Sequence, residues 1–181
     1  MISVQNLYEM KSWDSYTKKQ IDASKDPRWA KQIINEYKHF NKVLDIGCGI
    51  GIDLNYMAKY IESGIGVDIN EMAIIHANKV NCPDNIKYIY GDWSKIKFDH
   101  KFDLISASRA IFSDYDNAFK RVTQLLSGNG LFYATFVLLK PEEELIVKAI
   151  NKHFKIIHRT DAYKEDTGWK YSELIFELKS K

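Results

Sequence analysis

The 181-residue chain has only two cysteines, Cys48 and Cys82, with no Cys-x-x-Cys pair and no Cys/His cluster at metal-ligand spacing. That argues against a disulfide scaffold or a zinc site, leads to the expectation of no metal, and suits a reduced, cytoplasmic compartment. No stretch approaches the roughly 18 uninterrupted apolar residues of a membrane span. The first thirty residues carry charges every few positions, where a signal peptide needs an apolar run. The expectation is therefore a protein with neither a membrane span nor an export signal. Charge of one sign is missing too: 26 basic residues face 24 acidic ones, a formal net charge of +2. Without a strong field to gather polyanions, nucleic acid is not favoured as a partner. Prolines number three, and no internal repeat, low-complexity tract or Gly/Ser-rich linker marks a domain boundary. Residues 1–181 therefore read as a single domain, long enough to bury roughly two-thirds of its unfolded surface.

From Val43 onward, short apolar or β-branched runs alternate with longer amphipathic stretches, the pattern of βαβ units and a parallel sheet. Strands are expected at Val43 to Ile46, Ile65 to Val67, Ile86 to Tyr90, Asp103 to Ala107 and Leu131 to Phe136. Helices are expected at Ile52 to Ile61, at Glu71 to Val80 behind an Asn70 cap, and at Asp116 to Leu126 behind Asp114. A further helix should begin at Pro141, whose three following glutamates suit a first turn, and run to Ile150. Phe154 to His158 and Tyr171 to Leu178 are strand-like and joined by a polar loop containing Gly168, which predicts an antiparallel pair. Ahead of the first strand, residues 7–40 read as two helices, the second from Pro27 to Phe40. They carry Leu7, Tyr8, Trp13, Tyr16, Trp29 and Tyr37, more aromatic surface than a solvent-facing extension needs. Residues 1–40 are read as a helical cap within the domain.

The strongest chemical signal is Val43-Leu44-Asp45-Ile46-Gly47-Cys48-Gly49-Ile50-Gly51, a strand that breaks into glycines and then enters a helix. Glycines there let a bulky ligand approach the backbone and permit positive φ. A dinucleotide fingerprint places its third glycine three residues after the second, but that position is Ile52, and Gly51 falls one place early. Asp45 would face a pyrophosphate, whereas a cofactor with a cationic amino group suits it. An NAD-dependent oxidoreductase is disfavoured on both counts. Cys48 reads as a small filler of the turn.

This combination resembles the first motif of the class I S-adenosylmethionine-dependent methyltransferases, and the resemblance continues to the C-terminal hairpin. Gly64-Ile65-Gly66-Val67-Asp68 is similar to the second motif, whose acidic residue accepts from both ribose hydroxyls, a role implied here for Asp68, with Ile69 beside it. Tyr90-Gly91-Asp92-Trp93 is similar to the third, implying that Asp92, with Gly91 beside it, meets the adenine amino group and that Trp93 lies against the ring. Phe102 to Ser108 resembles the fourth, which implies that Ala107 and Ser108 meet the methionine amino group, while Leu125 to Leu131 is similar to the family's helix-turn-strand signature. The implied cofactor-binding set is Asp45, Gly47, Cys48, Gly49, Asp68, Ile69, Gly91, Asp92, Trp93, Ala107 and Ser108, the cofactor S-adenosyl-L-methionine and the product S-adenosyl-L-homocysteine. The implied fold is α/β: a Rossmann-like, seven-stranded, mostly parallel sheet with a C-terminal antiparallel hairpin and helices on both faces. Other readings stand beside these: a helix-capping carboxylate for Asp68, an ordinary Gly-Asp turn for Asp92, a core or rim aromatic for Trp93.

The resemblance places the acceptor pocket at the sheet's carboxyl edge, which points to Trp13, Tyr16, Arg109, Phe112 and Asp114. Arg109 either holds a substrate carboxylate or pairs with Asp114 or Asp116, the second being favoured. His158 reads as a partly exposed sheet residue. Phe112-Ser113 stands where many members place two histidines, so no catalytic residue is assigned. Ser106 to Ile111 lacks the Asn/Asp-Pro-Pro-Tyr/Phe motif of enzymes that methylate amino nitrogens of bases or glutamine, which favours a small-molecule acceptor over RNA or protein. A cofactor-binding but inactive module is the remaining alternative. His158 to Ala162 resembles a stretch of chalcogen-oxyanion-resistance methyltransferases, but there it stands on the other side of the hairpin loop, so that substrate is not carried over.

Overall fold

The alternation of apolar runs and amphipathic stretches becomes, in a computed structural model, seven strands and six α-helices among the described residues. Those residues are 10–22, 26, 27, 29–37, 39–80, 82–110, 112, 114–138, 140–164 and 169–178. In chain order the elements are α1 (Met10–Asp22), α2 (Trp29–Glu36), β1 (Lys42–Ile46), α3 (Ile52–Met57), β2 (Ser63–Asp68), α4 (Glu71–Lys79), β3 (Ile86–Tyr90) and β4 (Phe102–Ser108). They continue with α5 (Tyr115–Leu125), β5 (Leu126–Leu138), α6 (Lys140–His153), β6 (Phe154–Lys164) and β7 (Trp169–Leu178). The strands form one sheet in the order β3-β2-β1-β4-β5-β7-β6. β1 with β2, β2 with β3 and β4 with β5 are parallel, whereas β7 runs antiparallel to both β5 and β6. This is the expected Rossmann-like sheet with its C-terminal hairpin.

The chain divides into two compact units, Met1–Ile96 and Lys97–Lys181. In the first, Val43, Leu44, Leu54, Met57, Val67, Trp29 and Ile33 are buried together with the rest of its apolar core. α2 meets α3, and the Ala30 amide donates to Asp53 Oδ1 at 3.2 Å. The expected Asn70 cap is present, its Oδ1 accepting from the Ala73 amide at 3.0 Å. α3 has no such cap: it starts on Gly51 at φ 80°, runs only to Met57 and tightens into a 3-10 turn over Ala58–Tyr60. The expected helix to Ile61 is therefore cut short, since Ile61 is already extended. Of the two N-terminal helices, the second begins at Trp29 rather than Pro27. Leu7 and Tyr8 lie outside the described residues.

In the second unit α5 begins where expected, with Asp114 Oδ1 accepting from the Asn117 amide at 3.1 Å. β5 starts earlier than the sequence suggests. Phe102 pairs with Leu126 and Leu104 with Leu131, so residues 127–130 loop out between two paired positions. The helix-turn-strand signature thus forms a bulge within β5, and a Cβ on Gly130 would lie 3.0 Å from the Phe102 carbonyl. The hairpin strands are longer than expected because they pair from Phe154–Leu178 to Lys164–Trp169, with a bulge between Ile156 and His158. The polar loop around Gly168 lies outside the described residues. Phe119 on α5 sits among Phe112, Tyr115, Phe132, Phe136 and Phe154, with ring centroids 5.9 to 6.3 Å apart, and is fully buried.

Phe119→Ala should therefore cost about 3–5 kcal/mol, the transfer of a buried ring plus the cavity left behind. Urea denaturation measures it. A loss below about 1 kcal/mol would remove Phe119 from the core.

Candidate active site

The parallel strands of the first unit end side by side, so the turns after β1, β2 and β3 gather at one edge. Geometry there starts with the glycine turn. Gly47, Gly49 and Gly51 have φ of 71°, 55° and 80°, values that glycine adopts without a Cβ penalty. The turn folds onto the end of β2: the Gly47 and Cys48 amides donate to the Val67 carbonyl at 2.8 and 3.2 Å. The Gly49 amide donates to Asp68 Oδ2 at 2.8 Å, and the Asn70 amide to Asp68 Oδ1 at 2.8 Å. The turn after β3 is tied in by Gly91, whose amide donates to the Asp68 carbonyl at 2.9 Å. Asp45, Gly47, Cys48, Gly49, Asp68, Ile69, Gly91, Asp92 and Trp93 therefore belong to one neighbourhood.

Within it the charges are unequal. Burial pushes the Asp68 carboxyl above its ordinary value, and amide donors from Asn70, Gly49 and Ile69 offset part of that push. Partial burial also works upward on Asp92, but the Ser94 hydroxyl and amide, at 2.7 and 3.0 Å, and the Lys95 ammonium at 3.4 Å hold it below the ordinary range. Asp45 is only 3% exposed and pairs in register with Gly66, so it works from inside the sheet. Two apolar side chains stand exposed at the same edge, Ile69 at 51% and Tyr90 at 54%.

α1 adds groups that sequence reasoning missed. Asn70 Nδ2 donates to Asp14 Oδ1 and to Thr17 Oγ1, both at 3.3 Å, and Thr17 is buried. Gln20 Oε1 is close enough that a Cβ on Gly49 would meet it at 3.4 Å. The i, i+3 spacing of Asp14 and Thr17 was the available signal. Trp13 and Tyr16 fall on the same helix, but their side chains lie outside the described residues.

In the second unit Ala107 is buried and Ser108 half-buried at the carboxyl end of β4. Ser108 Oγ lies 3.2 Å from Thr135 Oγ1. Arg109 follows in a left-handed conformation, φ 60°, with its amide donating to the Thr135 carbonyl at 3.1 Å and hydroxyl at 2.9 Å. Asp114 Oδ2 accepts from Asn117 Nδ2 at 2.6 Å, and Asp116 pairs with Lys152 at 2.9 Å. Phe112 is buried with its ring 5.8 Å from that of Tyr115. His158 is on β6, at the sheet's edge, 3.0 Å from Thr160 Oγ1. Ile111 and Ser113 lie outside the described residues. Among the described residues, no helix is long and apolar enough to cross a membrane.

Residues 43–130 match a family model described as a methyltransferase domain. Residues 43–130 thus carry a methyltransferase domain, and the glycine turn, the carboxylates at successive strand ends and the sheet order are those of the class I S-adenosylmethionine-dependent methyltransferases. Over 99 residues it is 30% identical to a sterol 24-C-methyltransferase from Gibberella zeae, a match covering 50% of this chain and 26% of that protein. The chain thus spans about a quarter of that relative's length. The N-methyltransferase NodS from Bradyrhizobium japonicum, solved with S-adenosyl-L-homocysteine, superimposes with a TM-score of 0.75 at 14% identity, covering 94% of this chain and 98% of that one. The [4+2]-cyclase SpnF has a TM-score of 0.70 at 14% identity, covering 83% and 80%. The same sheet therefore carries more than one reaction, and the reaction has to be argued from residues.

Cys48 gives a test of this electrostatic picture that needs no ligand. Burial and the charges of Asp45 and Asp68 push its thiol well above the ordinary value, so it stays protonated and unreactive at mild alkaline pH. Peptide mapping after alkylation at pH 8 should find Cys82 modified well before Cys48. Faster labelling of Cys48 would contradict that setting.

Proposed function

We propose that the chain transfers the methyl group of S-adenosylmethionine to a small-molecule acceptor, with residues 1–181 working as one domain capped by residues 1–40. The observation that carries this reading is the carboxylate of Asp68, fixed by the Gly49 and Asn70 amides and still offering acceptor lone pairs at the strand end. The donor set fits the cofactor: a cradle without Cβ atoms at Gly47 and Gly49, a ribose acceptor in Asp68, apolar surface at Ile69 with the half-buried Trp93 following Asp92, and a lowered carboxylate in Asp92 for the adenine amino group. Gly91 keeps Asp92 near Asp68, Cys48 fills the turn, and Asp45 supplies negative potential toward the methionyl ammonium. Ala107 and Ser108, at the end of β4, are the remaining residues that the family resemblance implies for the cofactor.

When bound, S-adenosylmethionine supplies an activated sulfonium methyl: the acceptor's lone pair forms the new bond to carbon as the carbon–sulfur pair returns to sulfur, leaving S-adenosylhomocysteine. The chain's own contribution is to hold the cofactor and align the acceptor, which can account for much of the acceleration without a dedicated base. Trp13, Tyr16, Arg109, Phe112 and Asp114 are the acceptor-side candidates, Arg109 foremost because Thr135 holds its backbone in a conformation that costs energy.

Three considerations support a small acceptor over RNA or protein: the near-neutral net charge of +2, the missing Asn/Asp-Pro-Pro motif, and a relative named for a sterol. Formation of S-adenosylhomocysteine, followed in the presence of pooled small amines, alcohols, thiols and sterols and separately with RNA and protein fractions, tests this. Turnover is expected with a small-molecule pool. Turnover with RNA or protein alone, or none at all from protein that binds the cofactor product, would overturn it.

A further inference from the structure

The glycine turn needs something beneath it. α3 leaves the turn through Gly51, which is in a left-handed conformation and has no side-chain cap. A helix start of this kind lacks the usual serine or aspartate to fix its first amides. What stands below is Tyr88, in the middle of β3 and in register with Gly66 of β2. Its hydroxyl lies 3.0 Å from the Gly51 carbonyl and 2.8 Å from Asn55 Oδ1. The same Gly51 carbonyl accepts the first helical bond, from the Asn55 amide at 2.9 Å.

The ring is as closely fitted as the hydroxyl. A Cβ on Gly66 would lie 2.6 Å from Tyr88 Cδ1, and a Cβ on Gly51 would run into the Tyr88 hydroxyl and ring. Two of the glycines in this region thus make room for one side chain. Burial, together with nearby Cys48 and carboxylates, pushes the phenol far above its ordinary value, so it remains a neutral donor throughout the working range.

We propose that Tyr88 is a positioning residue for cofactor binding: through the Gly51 carbonyl it bolts the glycine turn and the first turn of α3 to β3. It touches no reacting atom. Its role rests on the reading that this turn holds S-adenosylmethionine, and it goes beyond that reading by placing a determinant of affinity in the layer under the turn. The phenol has one proton and two acceptors in reach, Asn55 Oδ1 the nearer, and the proposal concerns the contact with the Gly51 carbonyl.

Tyr88→Phe keeps the ring and removes the bolt. Calorimetry with S-adenosylhomocysteine should show about tenfold weaker binding than wild type, the size of one buried hydrogen bond, with a thermal melt still cooperative and lowered by only a few degrees. Asn55→Ala leaves the Gly51 bond intact and should stay within about twofold of wild type. A folded Tyr88→Phe protein that binds as wild type does would overturn the inference, because a merely structural tyrosine moves the melt and not the affinity. So would a loss of about tenfold or more in Asn55→Ala, which is readable even if the first variant fails to fold. Absence of binding by the wild-type protein would instead sink the cofactor reading and leave a different signature.

Discussion

The carboxylate of Asp68 is the constraint on which the site depends. It is at the end of a buried strand, where an unpaired charge would be expensive, and two amides 2.8 Å away make its position tenable. Those amides come from Gly49 and Asn70, so one side chain joins the turn after β1 to the start of α4. Burial pushes the carboxyl above its ordinary value, and the amides oppose that push.

Around that carboxylate the first unit is built in layers. Asn70 passes the connection outward, capping α4 with its Oδ1 and holding Asp14 and Thr17 of α1 with its Nδ2. Tyr88 passes it inward, from Gly51 to β3. The second unit is held differently, by a run of aromatic rings from Tyr115 and Phe119 to Phe132 and Phe176. At the end of its strand β4, Thr135 meets the Ser108 hydroxyl and accepts from the amide of the left-handed Arg109.

Much of this was legible in the sequence because it rests on local rules. Glycines at Gly47, Gly49 and Gly51, the caps at Asn70 and Asp114, and the alternation of strands and helices all follow from backbone chemistry within a few residues. What was not legible depends on distant partners. β5 begins at Leu126 because Phe102 pairs with it, and β6 extends to Lys164 because β7 pairs with it. α3 ends early for a reason its own apolar spacing does not contain. Tyr88 reads in isolation as one more inward-facing strand aromatic, and only the space left by Gly51 and Gly66 reveals its hydroxyl's partner. The spacing of the glycines and the acidic strand ends separated a methyltransferase from a dinucleotide enzyme, whereas the acceptor leaves no comparable mark.

The most direct measurement is calorimetric titration of the wild-type protein and Asp68→Ala with S-adenosyl-L-homocysteine, with NADH as control ligand. Micromolar binding of the first ligand alone is expected, weakened in Asp68→Ala by about 3 kcal/mol, the value of two hydrogen bonds to a charged acceptor. Binding of NADH instead, or equal affinity in the two proteins, would contradict the central place given to Asp68.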